Sequence, residues 1–230
     1  MGKFYQDWDI EIIDYDMCTL QGLDLRGPAL TQSNYIAYRG AAQTFGRYCH
    51  EPFPTLLGQQ LQLGTLNLAS GGKGPQYYLQ NPSALELINN ANLAVVQVMS
   101  GRSISNSVFE STRGGRSGIR RRNGKKTTAN IIFYELVSGQ DERGLDPAFL
   151  QQLVAETRHN YVTAMVALLE KIPVPTILLW FSVRSPAYQE IYPPVWPRQI
   201  NHWLEQISKG KIGLWRRRNE TRVERFLGDF

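Results

Sequence analysis

Short apolar runs of strand length alternate with amphipathic segments along most of this chain, and this alternation is the feature that most limits its fold. A strand followed by a helix and then by another strand is typical of a parallel sheet covered by helices on both faces. The strand-length runs are 34–40, 65–70, 92–99 and 175–183. We therefore predict an α/β fold, a three-layer α/β/α sandwich with a mostly parallel sheet.

Helices are predicted between and after these runs. The longest is 146–171, where Asp146 is a good N-cap and Pro147 a good first residue. The segment 129–137 could be a strand or the start of a helix, and the pattern alone does not separate the two. The shorter predicted helices are 54–63, 82–91 and 198–207.

Length and composition indicate one globular domain. The 230 residues are 42% hydrophobic and 20% charged, and the longest apolar runs are far too short to span a membrane. The acidic N-terminus lacks the apolar core of a signal peptide, and the two cysteines suggest neither a disulfide scaffold nor a zinc site. We expect a single domain over 1–230, a cytoplasmic location, and no metal or cofactor; a homo-oligomer is left open.

Positive charge is concentrated in two segments. Residues 113–126 carry seven basic side chains and no acid, within a predicted loop insertion at 101–128, and a second basic stretch forms the tail at 209–230. Such runs attract polyanions, although a solvated loop is the simpler interpretation. Nucleic acid is disfavoured as a partner because no aromatic residue is interleaved with the basic run for stacking on bases.

Three segments that follow predicted strands are rich in Gly, Ser and Asn. In open parallel sheets ligands bind beyond the carboxyl ends of the strands, so these segments predict a shared ligand site. Glycine backbone can turn N–H groups toward an anion, and arginine can grip an oxyanion with two N–H groups. The predicted anion-binding residues are Gly40, Arg47, Gly71, Gly72, Ser100 and Arg102. The alternatives are ordinary turns, and arginines that pair with local carboxylates.

The stretches "GAAQTFGR", "NLASGGKGP" and "QVMSGRSISN" resemble the sequence blocks of the SGNH/GDSL hydrolases, chiefly over residues 34–107. The chain is closer still to an uncharacterised bacterial family with near counterparts of these stretches. The resemblance implies an SGNH-like, flavodoxin-like fold, with Gly40 as the first glycine, Asn106 as the block asparagine and His202 near the usual histidine. The nucleophile serine is replaced by Ala42, and Gln199 stands in the place of the acidic residue.

An alanine has no oxygen to activate, so ordinary Ser-His-Asp ester hydrolysis is disfavoured. Thr44 has a hydroxyl two residues further on, and the candidate catalytic residues are therefore Thr44, Asn106 and His202. One hypothesis is a hydrolase or group transferase with a rebuilt site, acting on an acyl- or sulfuryl-bearing carbohydrate or similar small molecule. The other is a non-catalytic binding protein for an anionic glycan or nucleotide. A hydroxyl within about 3 Å of a histidine would favour the enzyme.

Overall fold

A computed structural model describes residues 9–99, 101, 104–112, 114–115, 117–143 and 146–181. The described residues form two compact units, one of 9–133 with 152–181 and one of 134–151. The predicted single domain over 1–230 remains a prediction. The predicted helix 198–207 and the basic tail 209–230 lie outside the described residues.

The main sheet is parallel, as the sequence predicted. Its strands are β3 (Tyr35–Arg39), β4 (Gly64–Asn67), β5 (Leu93–Gln97) and β9 (Thr176–Leu179). Their order across the sheet is β4-β3-β5-β9, and each neighbouring pair runs in the same direction. β3, β5 and β9 fall within their predicted runs, and β4 begins one residue before its predicted run of 65–70. A continuous apolar run is typical of a strand buried on both faces. The mixed α/β fold is confirmed.

Six described helices connect or follow the strands. They are α1 (Ala42–Phe45), α2 (Phe53–Leu61), α3 (Pro75–Leu79), α4 (Pro82–Asn89), α5 (Ala129–Val137) and α6 (Pro147–Glu170). Proline occupies the first turn of several of them, where its missing N–H leaves no hydrogen bond unmade. The Asp146 carboxylate accepts a hydrogen bond from the Phe149 amide at 3.0 Å, which confirms the predicted cap of α6. Residues 129–137 are a helix, which settles the alternative left open by the sequence.

Two small antiparallel sheets were not predicted. One pairs β1 (Cys18–Leu20) with β2 (Leu23–Leu25). The other, within the predicted insertion 101–128, joins β6 (Phe109–Ser111), β7 (Ser117–Arg120) and β8 (Lys126–Thr128). Strands of three or four residues are too short to give a recognisable alternating pattern, which explains why the sequence did not reveal them.

Apolar side chains pack on both faces of the main sheet. On one face, alternate strand residues including Ala37 and Val96 join a buried cluster with Ile88 of α4 and Leu168 of α6. On the opposite face, a smaller cluster contains Tyr38 and Val95, and Phe53 of α2 packs against it. This alternation follows from the two-residue period of a strand, and it decides to which side each strand residue points.

Candidate functional site at the carboxyl ends of β3 and β5

The strand order places a topological switch point at one defined position. From β3 the chain passes to β4 on one side, and from β4 it returns across β3 to reach β5 on the other side. Beyond the carboxyl ends of β3 and β5 the connections therefore diverge, as they do at the ligand-binding switch point of doubly wound sheets. Gly40 follows β3 at this point, and Val98 and Met99 follow β5.

The loop that follows β3 is held by the side chain of Gln97, the last residue of β5. Its Oε1 accepts hydrogen bonds from the Ala41 amide at 2.9 Å and from the Thr44 hydroxyl at 2.7 Å. Its Nε2 donates to Oε1 of Gln43 at 3.1 Å. Gln97 and Thr44 are both buried. The Thr44 hydroxyl, a candidate nucleophile by sequence, thus donates its proton to a neutral amide oxygen.

Gly40 permits this arrangement because it has no side chain. A Cβ at this position would lie 2.5 Å from both Gln97 Oε1 and Thr44 Oγ1. The predicted glycine is therefore required by the close approach of two strand ends. α1 begins directly afterwards and ends at Gly46, whose left-handed backbone (φ 74°) suits glycine.

The hydroxyl of Tyr78 links the segments that follow β3 and β4. It accepts from the Gly40 amide at 3.2 Å and donates toward the carbonyls of Leu68 and Gly40, at 3.1 and 3.2 Å. Burial raises the pKa of Tyr78, and the cation of Arg39 acts in the opposite direction. The hydroxyl therefore stays protonated and able to donate.

Arg39, the last residue of β3, is fully buried. Its guanidinium lies over the Tyr78 ring, 4.9 Å from the ring centre. Its three side-chain nitrogens have no hydrogen-bond partner within the described part of the chain. Burial lowers the pKa of Arg39 to about 10, which still leaves the side chain charged at neutral pH. Sequence reasoning missed this residue, although a charged residue ending an apolar strand was a visible signal.

Tyr161 of α6 interacts electrostatically with Arg39. Burial raises the pKa of Tyr161 to about 12, with the Arg39 cation and the nearby Met99 backbone acting in the opposite direction. The Met99 backbone does not form a hydrogen bond of good geometry with this hydroxyl, which has no partner among the described residues. The Tyr161 ring also packs closely on Gly101, where a Cβ would lie 3.4 Å from Cγ of the ring.

Arg47, a predicted anion-binding residue, forms an ion pair within the protein. Its Nε donates to Oδ2 of Asp9 at 2.8 Å, and a terminal nitrogen donates to Oδ1 at 2.9 Å. The same carboxylate accepts the hydroxyl of Tyr15 at 2.9 Å, and it is almost fully buried. A ligand anion would have to displace Asp9. Of the two interpretations offered by the sequence, pairing with a carboxylate of the protein therefore fits Arg47 better than anion binding.

Asn106 has its polar atoms engaged in local structure. Its Oδ1 accepts from the amides of Val108 and Phe109, at 3.1 and 2.9 Å, and its Nδ2 donates to the Thr157 hydroxyl at 3.0 Å. It borders a groove of about 580 Å³ that His159 also lines. No hydrogen bond within the described residues joins Asn106 to the loop after β3.

The other predicted site residues are only partly described. Gly71 and Gly72 lie in the turn after β4, and Gly72 has a left-handed backbone (φ 74°). Ser100, Arg102 and His202 lie outside the described residues. Of the basic segment, the described residues include β7 and β8, and Arg121 pairs with Glu110 at 3.1 Å.

Within the described ranges, no hydrogen bond joins a histidine side chain to a hydroxyl, and both His50 and His159 are exposed. In the same ranges, no group of three or more His, Cys, Asp or Glu side chains is placed to hold a metal ion. None of the helices in the described part of the chain is long and apolar enough to cross a membrane.

Comparison with known proteins gives one match. Residues 4–113 match the model of a family described as a domain of unknown function (DUF6473). No curated protein and no solved structure matches the chain. The matched segment includes Arg39, Gly40, Thr44, Tyr78 and Gln97, so the region of similarity to this family contains the carboxyl ends of both central strands.

Proposed function

We propose that this chain is an SGNH-like, flavodoxin-like three-layer α/β/α domain that binds an anionic small molecule beyond the carboxyl ends of β3 and β5. The strand order supports the proposal, because its switch point lies at this edge, and ligands bind at the switch point of doubly wound sheets. The packing of α2 on one face and of α4 and α6 on the other supports the three layers. The proposed ligand is a glycan or nucleotide that bears an acidic group.

Binding without covalent catalysis is the function that this geometry favours. The observation that carries it is the 2.7 Å hydrogen bond from the Thr44 hydroxyl to Gln97 Oε1. A neutral amide oxygen cannot remove the hydroxyl proton, whereas nucleophilic catalysis needs a base such as histidine. The loop has glycines at positions 40 and 46, but with alanine at position 42 it has no activated oxygen there.

The second candidate is a hydrolase or group transferase with a rebuilt site, acting on an acyl- or sulfuryl-bearing carbohydrate or similar small molecule. The position of the 40–46 loop at the carboxyl end of β3 favours it, because the SGNH-like resemblance assigns the nucleophile loop to that place. In this candidate His202 supplies the base and Thr44 the nucleophile.

We further propose a cytoplasmic location, which the free state of Cys18 and Cys49 supports. Neither a membrane nor a nucleic acid is part of the proposal.

Ligand binding and turnover, measured on the same protein, separate the two candidates. Binding is measured by thermal shift with adenosine 5′-phosphosulfate, an acyl-coenzyme A and glucuronate, and turnover with p-nitrophenyl acetate and p-nitrophenyl sulfate. We expect a saturable thermal shift with at least one ligand, no turnover, and an unchanged shift in Thr44→Val. Turnover that is lost in both Thr44→Val and His202→Ala would establish the enzyme instead.

A further inference from the structure

We propose that Arg39 is the anchor of a binding site for one oxyanion group, a carboxylate, sulfate or phosphoryl group, at the carboxyl end of β3. The inference rests on the proposed function, and it names the residue that holds the charge of the ligand. It differs from the sequence prediction, which assigned this task to Arg47 and Arg102.

The first argument is the missing partner. Arg39 has no exposed surface, and Nε and both terminal nitrogens lack a hydrogen-bond partner in the described chain. Buried polar groups in native proteins are nearly always paired, and burying a charge without a partner is far more costly than burying a neutral group. Something outside the described residues must therefore compensate for this cation.

The second argument is the character of the neighbours. The groups that interact electrostatically with Arg39 are the hydroxyls of Tyr78 and Tyr161, which are neutral at pH 7 because the ordinary pKa of tyrosine is near 10 and burial raises it further. The Tyr78 ring contributes a cation–π contact, which attracts the charge and satisfies none of the N–H groups. No carboxylate of the described residues pairs with Arg39, so none of these residues neutralises its positive charge.

The third argument is the match between the free groups and an oxyanion. Guanidinium presents N–H groups in a planar fork that binds two oxygens of a carboxylate, sulfate or phosphoryl group at once. The Tyr161 hydroxyl, also without a partner among the described residues, adds one more donor. Because Arg39 is buried, the attraction between its guanidinium and an anion is much stronger than at an exposed surface.

Arg39 also lies at the switch point of the sheet. Its strand ends beside Gly40, at the point where the connections from β3 and β5 diverge. Arg39 points to the face that contains Ala37 and Val96, where α6 packs, and Tyr161 belongs to α6. The anchor therefore lies between the end of the central strands and the long helix.

The test is isothermal titration of the full chain at constant ionic strength, with sodium sulfate, phosphate, acetate and the three organic ligands named above. The variants are Arg39→Met, which keeps the length of the side chain without its charge, and Arg39→Lys, which keeps the charge without the fork. Arg47→Met is the matched control, because Arg47 is paired with Asp9. Circular dichroism confirms that each variant is folded.

We expect saturable binding of an oxyanion to the wild type, no binding to Arg39→Met, and about tenfold or greater weakening in Arg39→Lys. Arg47→Met should bind as the wild type does. If Arg39→Met does not fold, the comparison of Arg39→Lys with the wild type decides.

Each remaining outcome identifies what has failed. Organic ligands that bind equally to wild type and Arg39 variants would overturn the anchor and leave the proposed function intact. Inorganic anions that bind through Arg39, with no organic ligand bound, would support the anchor and count against the proposed function. Absence of all binding would overturn the anchor and remove the support for a bound anion.

Discussion

Arg26 and Arg39 are both buried arginines at the ends of strands, and they differ in one respect. Both stack on an aromatic ring, Arg26 on Tyr15 at 4.5 Å and Arg39 on Tyr78 at 4.9 Å. Arg26 also donates hydrogen bonds to three backbone carbonyls, at 3.2, 2.6 and 2.8 Å, which belong to Gly46, Cys49 and His50. Arg39 donates none within the described residues.

The comparison shows that burial alone does not reveal what an arginine does. The guanidinium of Arg26 satisfies carbonyls in the turn after α1, so it has a structural use that accounts for its charge. Arg39 is equally buried, but its guanidinium makes no such hydrogen bond within the described residues, so we expect it to contribute little to stability. A charge that contributes little to the fold is a candidate for binding, and this difference can be measured.

The largest expected loss of stability follows the substitution of Arg26. In Arg26→Met three hydrogen bonds from a charged group are lost while the apolar length of the side chain remains. A hydrogen bond to a charged group contributes about 1.5–3 kcal/mol, so we expect the free energy of unfolding to fall by roughly 3 kcal/mol or more. Urea denaturation measures this. A loss below about 1 kcal/mol would mean that water replaces the guanidinium and that the two arginines are alike.

A smaller effect is expected from Gly40→Ala, which adds a methyl group between the strand ends. The new Cβ would lie 2.5 Å from Gln97 Oε1 and Thr44 Oγ1, so the hydrogen bonds of the loop must shift. Overpacking of this kind costs about 1–3 kcal/mol. Gly115→Ala is the matched control, because there the nearest atom is 3.6 Å away. Equal stability of the two variants would show that the loop beside Arg39 can shift to accommodate the methyl group at little cost.

Arg39→Met should behave in the opposite way to Arg26→Met. Without added anion, removing an unpaired buried charge costs no hydrogen bond of the described chain, so we expect stability equal to the wild type or higher by about 1–2 kcal/mol. Urea denaturation in chloride buffer, in parallel with Arg26→Met, makes the comparison direct. A loss as large as that of Arg26→Met would reveal a structural partner for Arg39.

The smallest expected effect is that of Tyr161→Phe on stability, and it is confined to alkaline pH. The pKa of Tyr161 is near 10 when unfolded and about 12 in the folded protein. Between pH 10 and pH 12 the folded state binds more protons than the unfolded state. The contribution of the Tyr161 hydroxyl to the free energy of unfolding is therefore complete below pH 10 and declines as the pH rises toward 12. Tyr161→Phe removes this contribution, and stability should then fall less steeply between pH 10 and 12. An identical slope would place the hydroxyl in water.

The sequence predicted the main sheet well because its evidence is local. A continuous apolar run bounded by glycine or proline indicates a buried strand without any knowledge of its partners. The helix α6 was equally clear from Asp146, Pro147 and its length. The helix at 129–137 could not be separated from a strand, because a short apolar segment fits either pattern.

The site was only partly predictable because its chemistry depends on distant contacts. Gly40 and Thr44 were identified from their place after a strand, yet the role of Thr44 became clear only through Gln97, which belongs to another strand. Arg47 resembled an anion ligand because Asp9, its partner, precedes it by many residues. Arg39 fell within the predicted strand 34–40, and no local pattern reveals that a charge lacks a partner.

The pairing of strands in the parallel sheet also affects how the chain folds during its synthesis. Ala94 of β5 pairs with Thr176 of β9, while the opposite edge of β5 pairs with β3 much earlier in the sequence. A ribosome therefore releases β3, β4 and β5 long before β9 emerges, and during that interval one edge of the central strand lacks its hydrogen-bonding neighbour. Unpaired strand edges are where nascent chains associate wrongly. Slow translation between β5 and β9 thus prolongs the period in which this protein is exposed to aggregation.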